Sequence, residues 1–128
     1  LHVTDKKQLE TAMAKIKEVN PNIYLKTFCY KLDDYAEVQE FAQEISMFYK
    51  LSNFGPQLDC FLNFANFTET DKQTFITLPS GKKVERTFML NVWAPYTLAV
   101  AALTETSPKV KRVIIPSSDV HMRSYGNT

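Results

Sequence analysis

A chain of 128 residues with 45% hydrophobic residues fits one domain and can supply a core, which argues against a fully disordered protein. With 15 Lys+Arg against 14 Asp+Glu, the net charge of +1 leaves no footprint for nucleic acid or an anionic membrane surface. Neither property names a function.

The segment from Asp5 to Val19 is predicted to be an amphipathic helix, because Leu9, Met13, Ile16 and Val19 recur at spacings of three and four among Lys and Glu. Asn20-Pro21-Asn22 ends it with turn chemistry. Ile23 to Tyr30 alternates and is rich in β-branched and aromatic residues, as a strand does. Asp33 and Asp34 offer an N-cap for a second helix, Tyr35 to Tyr49, with Val38, Phe41, Ile45 and Phe48 on one face.

Ser52 to Gln57 reads as a loop, and Leu58 to Asn63 as a short strand whose unbroken apolar character suits burial on both faces. The polar stretch from Thr68 and the Pro79-Ser80-Gly81 turn form a connection with room for a small excursion. Val84 to Thr106 is the longest helical candidate, with a kink or early break expected at Pro95. Lys111 to Ser117 reads as a third strand, and the rest as loop. No internal repeat appears.

Cys29 and Cys60 make no CxxC pair, and only 2 His accompany them, so zinc is not expected. Both sit in apolar runs, which suits buried thiols in a reducing, intracellular compartment; a single disulfide is the other option. No signal peptide is visible, and the apolar run from Trp93 to Leu103 is shorter than a membrane-spanning helix. Leu1 in first place fits a processed or partial chain. Helices alternating with strands predict βαβ units: an α/β fold with a doubly wound parallel sheet.

Four stretches in this order resemble the short-chain dehydrogenase/reductase family. Ala12 to Lys17 with Asn20-Pro21-Asn22 is similar to its second crossover helix and turn, and Leu58 to Asn66 to its fourth strand and Asn-Asn-Ala-Gly signature. Thr87 to Tyr96 is similar to the helix bearing the active-site Asn, at Asn91, and Arg112 to Ser118 to the fifth strand ending at the catalytic Ser. Ser117-Ser118-Asp119-Val120-His121 resembles the retinol-dehydrogenase-like branch, although His121 itself is expected to be a loop histidine. The resemblance implies a partial Rossmann-like domain over residues 1–128, holding strands three to five with flanking helices. It implies hydride transfer between NAD(P) and a lipophilic alcohol or carbonyl, with Asn91 and Ser118 in the catalytic set and Asn63 and Ala65 at the cofactor.

The same comparison exposes departures. The glycine-rich phosphate turn should precede Leu1, and the Tyr-x-x-x-Lys pair should follow beyond Thr128, so both fall outside the chain. Tyr125 stands too close to Ser118 to serve, and the family's first strand is expected to be missing. Thr4 stands where NADP-preferring members carry Arg, and spacing puts Lys31 where the family has an Asp for the adenine amino group. Phe64 and Asn66 replace the second Asn and the Gly of the signature. In the family's strand order 3-2-1-4-5-6, strands three and four would then be separated by two empty lanes. The departures put a non-catalytic relative first: a pseudoenzyme-like structural or interaction subunit of a larger assembly, with no cofactor expected for the chain as it stands. Asn91, Ser118 and His121 support the alternative, an internal segment of an active NAD(P)-dependent oxidoreductase. The aromatics Phe61, Phe64, Phe67 and Phe75 suit either core packing or a partner surface.

Overall fold

The computed structural model describes residues 1–50, 58–67, 73–105 and 110–117. Ser118, His121 and Tyr125 lie outside the described residues. The elements run β1 (His2–Val3), α1 (Lys6–Val19), β2 (Phe28–Cys29), α2 (Tyr35–Lys50), β3 (Cys60–Leu62), β4 (Phe75–Thr77) and β5 (Lys83–Glu85). Then follow α3 (Arg86–Phe88), a π-helical turn (Met89–Trp93), α4 (Ala94–Glu105) and β6 (Arg112–Ile114). The fold is mixed α/β.

Among the described residues the strands form three pairs. β1 runs parallel to β2, with His2 opposite Phe28, and β3 runs parallel to β6, with Phe61 opposite Val113. β4 and β5 form an antiparallel hairpin within the polar connection, Ile76 opposite Val84. Gly81 turns it with φ +79°, a backbone state open to Gly at no steric cost. The hairpin is the excursion for which the connection left room, and β5 takes Val84 and Glu85 from the start of the expected long helix.

Both parallel pairs are short among the described residues, two residues long for β1 and β2 and three for β3 and β6. Of the strand expected over Ile23 to Tyr30, only Phe28–Cys29 pairs, since β1 opposite it is two residues long. β3 is not buried on both faces: Leu62 is 54% exposed, and among the described residues β3 pairs only with β6. Among the described residues β2 and β3 belong to different sheets. One correction follows. β1 already fills one of the two lanes expected to be empty beside β2.

The core lies between α2 and α4. Val38, Phe41 and Ile45 of α2 are buried against Met89, Ala94, Leu98 and Ala101, with Phe28 and Leu32 closing one end. Asp34 caps α2 by accepting from the Ala36 and Glu37 N–H groups, and Asp5 caps α1 by accepting from Lys7 and Gln8. Helix α1 buries no residue fully, and Val19, placed on its apolar face by periodicity, is 88% exposed. Its apolar stripe is half used.

Pro95 does not break the last helix. The Ala94 N–H reaches back to the Met89 carbonyl, so the helix widens by one residue just where Pro95 has no N–H to offer the Asn91 carbonyl. Helical structure therefore continues from Arg86 through Glu105. Arg86–Thr104 meets the length and composition of a membrane-crossing helix, which the shorter run from Trp93 to Leu103 did not predict. Met89, Ala94 and Leu98 of this helix lie in the core against α2.

Candidate functional site

Two cavities open where the parallel strands end. The larger, about 630 Å³, lies between β1 and β3 and is lined by His2, Val3, Cys60, Phe61, Leu62 and Leu98, among others. The smaller, about 390 Å³, is lined by Thr4, Leu32, Asp33, Ala65, Asn66 and Phe67, with Arg86 and Leu90 behind them. Thr4, Leu32 and Ala65 each lie just past the carboxyl end of β1, β2 or β3. The cavity thus gathers residues that follow β1, β2 and β3, of which β1 and β2 run parallel. In open α/β sheets, ligands bind outside the carboxyl ends of the strands.

Asn91 stands at the back of this region and acts as a backbone clamp. The Phe67 N–H donates to Asn91 Oδ1 at 2.9 Å, and Asn91 Nδ2 donates to the Phe67 carbonyl at 2.6 Å. One side-chain amide thus satisfies both backbone groups of a residue that lies outside the described strands. Asn91 lies within the π-turn, Met89–Trp93. Asn91 was legible as a candidate; its partner, Phe67, was not.

Asp33 is the residue that spacing missed. It lines the cavity wall, while Lys31, assigned to that place in the sequence, is exposed and donates its backbone N–H to Glu37 Oε2 at 2.6 Å. Arg86 Nε and Nη2 both reach Asp33 Oδ2, at 2.9 and 2.8 Å, and the guanidinium lies 4.5 Å above the centre of the Phe67 ring. The pair is about a third exposed and worth no more than about 1 kcal/mol. A signal existed in the Leu32-Asp33-Asp34 run: Asp34 is used as the helix cap, which releases Asp33 for the cavity.

The other candidates occupy the rim. Asn63 donates to the Ala65 carbonyl at 3.5 Å, holding the turn after β3, while Ala65, Phe64 and Asn66 are exposed, Phe64 by 72%. Thr4 is exposed at the same rim. Phe61 packs against the core and Phe67 stacks on Arg86, whereas Phe64 and Phe75 face outward, so the aromatic group divides between core and surface.

Behind the larger cavity, His2 stacks on Phe41 at 4.7 Å between ring centres, and its Nε2 lies 2.9 Å from the Tyr30 carbonyl. Burial lowers its pKa below the usual histidine value, opposed by the bond to the Tyr30 carbonyl and helped by the nearby N-terminal amine. The Tyr30 hydroxyl donates to Glu44 at 2.6 Å, and this bond pushes its pKa up to about 12. Cys29 and Cys60 are free, half-buried thiols.

Comparisons with protein-family models, with curated proteins and with solved structures find no match to this chain.

Proposed function

We propose that these residues form the nucleotide-side half of a Rossmann-like domain of short-chain dehydrogenase/reductase type, part of an NAD(P)-dependent oxidoreductase acting on a lipophilic alcohol or carbonyl. The observation that carries this reading is the cavity beyond the carboxyl ends of β1, β2 and β3, with the Asp33 carboxylate on its wall. Lys31 weighed against nucleotide binding because a cation cannot accept a hydrogen bond from a base amino group. With Asp33 at the wall and Lys31 away from it, that objection falls and the order of the two readings reverses.

The residues fit such a cofactor in part. Asp33 would accept from the base amino group through Oδ1, since both Arg86 contacts use Oδ2. Ala65 presents a small wall, and Asn63 fixes the turn that carries it. The bound nicotinamide would supply or accept the hydride. Asn91 holds Phe67, and with it the chain leaving β3, against the helix that backs the site. Ser118 would donate to the substrate oxygen, and the acid/base Tyr-x-x-x-Lys pair is required from sequence beyond these residues.

The second reading, a non-catalytic structural or interaction subunit, is supported by Phe64 and Asn66 at the rim and by the engagement of Asp33 with Arg86. Titration of the full-length protein with NADH and NADPH separates the two. Micromolar binding of either supports the oxidoreductase reading; saturation absent to millimolar nucleotide supports the subunit.

A further inference from the structure

We infer that Arg86 sets the base selectivity of the smaller cavity: by filling one oxygen of Asp33 it makes the site reject guanine, a base that the bare carboxylate would favour. The inference rests on the nucleotide reading above and adds to it a specificity-determining residue, Arg86. Asp33 is the only carboxylate in the described lining of the 390 Å³ cavity, so its open acceptors decide which charged-acceptor contacts a ligand can make there. A carboxylate with both oxygens open accepts two parallel N–H groups, as it does from an arginine. Guanine offers such a pair, N1–H and the 2-amino group side by side. Adenine offers one donor, its 6-amino group, beside an acceptor, N1.

Arg86 changes that count. Its Nε and Nη2 both fall on Asp33 Oδ2, at 2.9 and 2.8 Å, and two N–H groups use the lone pairs of that oxygen. Oδ1 is then the acceptor left for a ligand. Adenine needs only one, and its N1 lone pair is repelled less by an oxygen that a guanidinium neutralises than by a bare one. Guanine would set its second donor against an oxygen already filled, and an unpaired polar group is what lets a site reject a close analogue. Arg86 is also fastened in place. Its guanidinium lies 4.5 Å above the Phe67 ring centre, and Asn91 bonds both backbone groups of Phe67. The Arg86 N–H donates to the Thr74 carbonyl at 2.9 Å, which ties the head of the helix to the hairpin. Asn66 on the same rim offers a donor and an acceptor, so it favours neither base.

The experiment is isothermal titration calorimetry of the full-length protein and its Arg86→Met variant with AMP, GMP and IMP, folding being checked by circular dichroism. Met keeps an apolar side chain over Phe67 and removes the N–H donors. The unaltered protein should prefer AMP to GMP by about tenfold, and in Arg86→Met that ratio should fall about tenfold. GMP and IMP differ only in the 2-amino group. With Oδ2 filled, the unaltered protein should bind these two within about twofold, a result that does not depend on the variant folding. An equal loss of all three nucleotides in Arg86→Met, with the AMP:GMP ratio unmoved, would make Arg86 a structural residue and overturn the inference. So would a clear preference of the unaltered protein for GMP over IMP. Titration with NADH separates the two claims. NADH binding with an unmoved ratio sinks the selectivity of Arg86 alone, whereas no binding of NADH, NADPH or any of the three mononucleotides sinks the nucleotide reading and this inference with it.

Discussion

At the scale of single residues, Asn91 and His2 do the most with the fewest atoms. Asn91→Ala removes both bonds to Phe67 and leaves a part-buried N–H and carbonyl without partners, a loss of about 1–3 kcal/mol. Asn91→Asp keeps the acceptor for the Phe67 N–H but sets a carboxylate oxygen against the Phe67 carbonyl, so it should not rescue the loss. Urea denaturation of both variants checks this. His2 titrates with the opposite sign to a paired histidine. Its folded-state pKa lies below the usual value of 6.5, so folding favours the neutral ring. Its contribution is fully present above pH 6.5 and is lost as pH falls through the folded-state value. The urea midpoint should therefore decline from pH 7.5 to 5, and His2→Phe, which keeps the stack on Phe41, should flatten that decline. Tyr30 gives the alkaline counterpart: Glu44→Gln should bring its ionisation, followed by ultraviolet absorbance, down from about 12 toward 10.

Elements differ in how much of their apolar pattern they use. Helices α2 and α4 bury theirs against each other, so Leu98→Ala should cost about 2–5 kcal/mol. Leu9→Ala in α1 should cost less than half as much, because no residue of that helix is fully buried. Amide hydrogen exchange should rank them in the same order, slow in α2 and α4 and fast in α1. Periodicity made α1, α2 and α4 legible; the Asp33-Asp34 cap marked the start of α2 at Tyr35, whereas α1 starts at Lys6, one residue after the expected Asp5. It was less useful for the strands, whose extent depends on partners a local pattern does not contain: Ile23 to Thr27 reads as strand, but among the described residues it joins no strand ladder, and the Leu1 amine donates to the Lys26 carbonyl. The π-turn was also illegible in detail. Pro95 signalled a disturbance but not its form, a widened turn closed by the Ala94 N–H on the Met89 carbonyl that keeps the helix going.

For the whole molecule, alternation of helix and strand was enough to predict a mixed α/β architecture. The candidate site was only partly legible. The resemblance pointed to Asn63 and Ala65, which line the cavities, and to Asn91, which lines neither and holds Phe67; counting pointed to Lys31, whereas Asp33 is the residue at the cavity wall. That pair also supplies the most direct test of the central claim, that the cavity beyond β1, β2 and β3 is the base-binding end of a nucleotide site. The measurement is NADH and NADPH affinity of the full-length protein and of its Asp33→Asn and Lys31→Glu variants. The expected result is micromolar binding, weakened about tenfold by Asp33→Asn, which is about 1.4 kcal/mol, and unchanged by Lys31→Glu. No binding, or binding indifferent to Asp33→Asn, would contradict it.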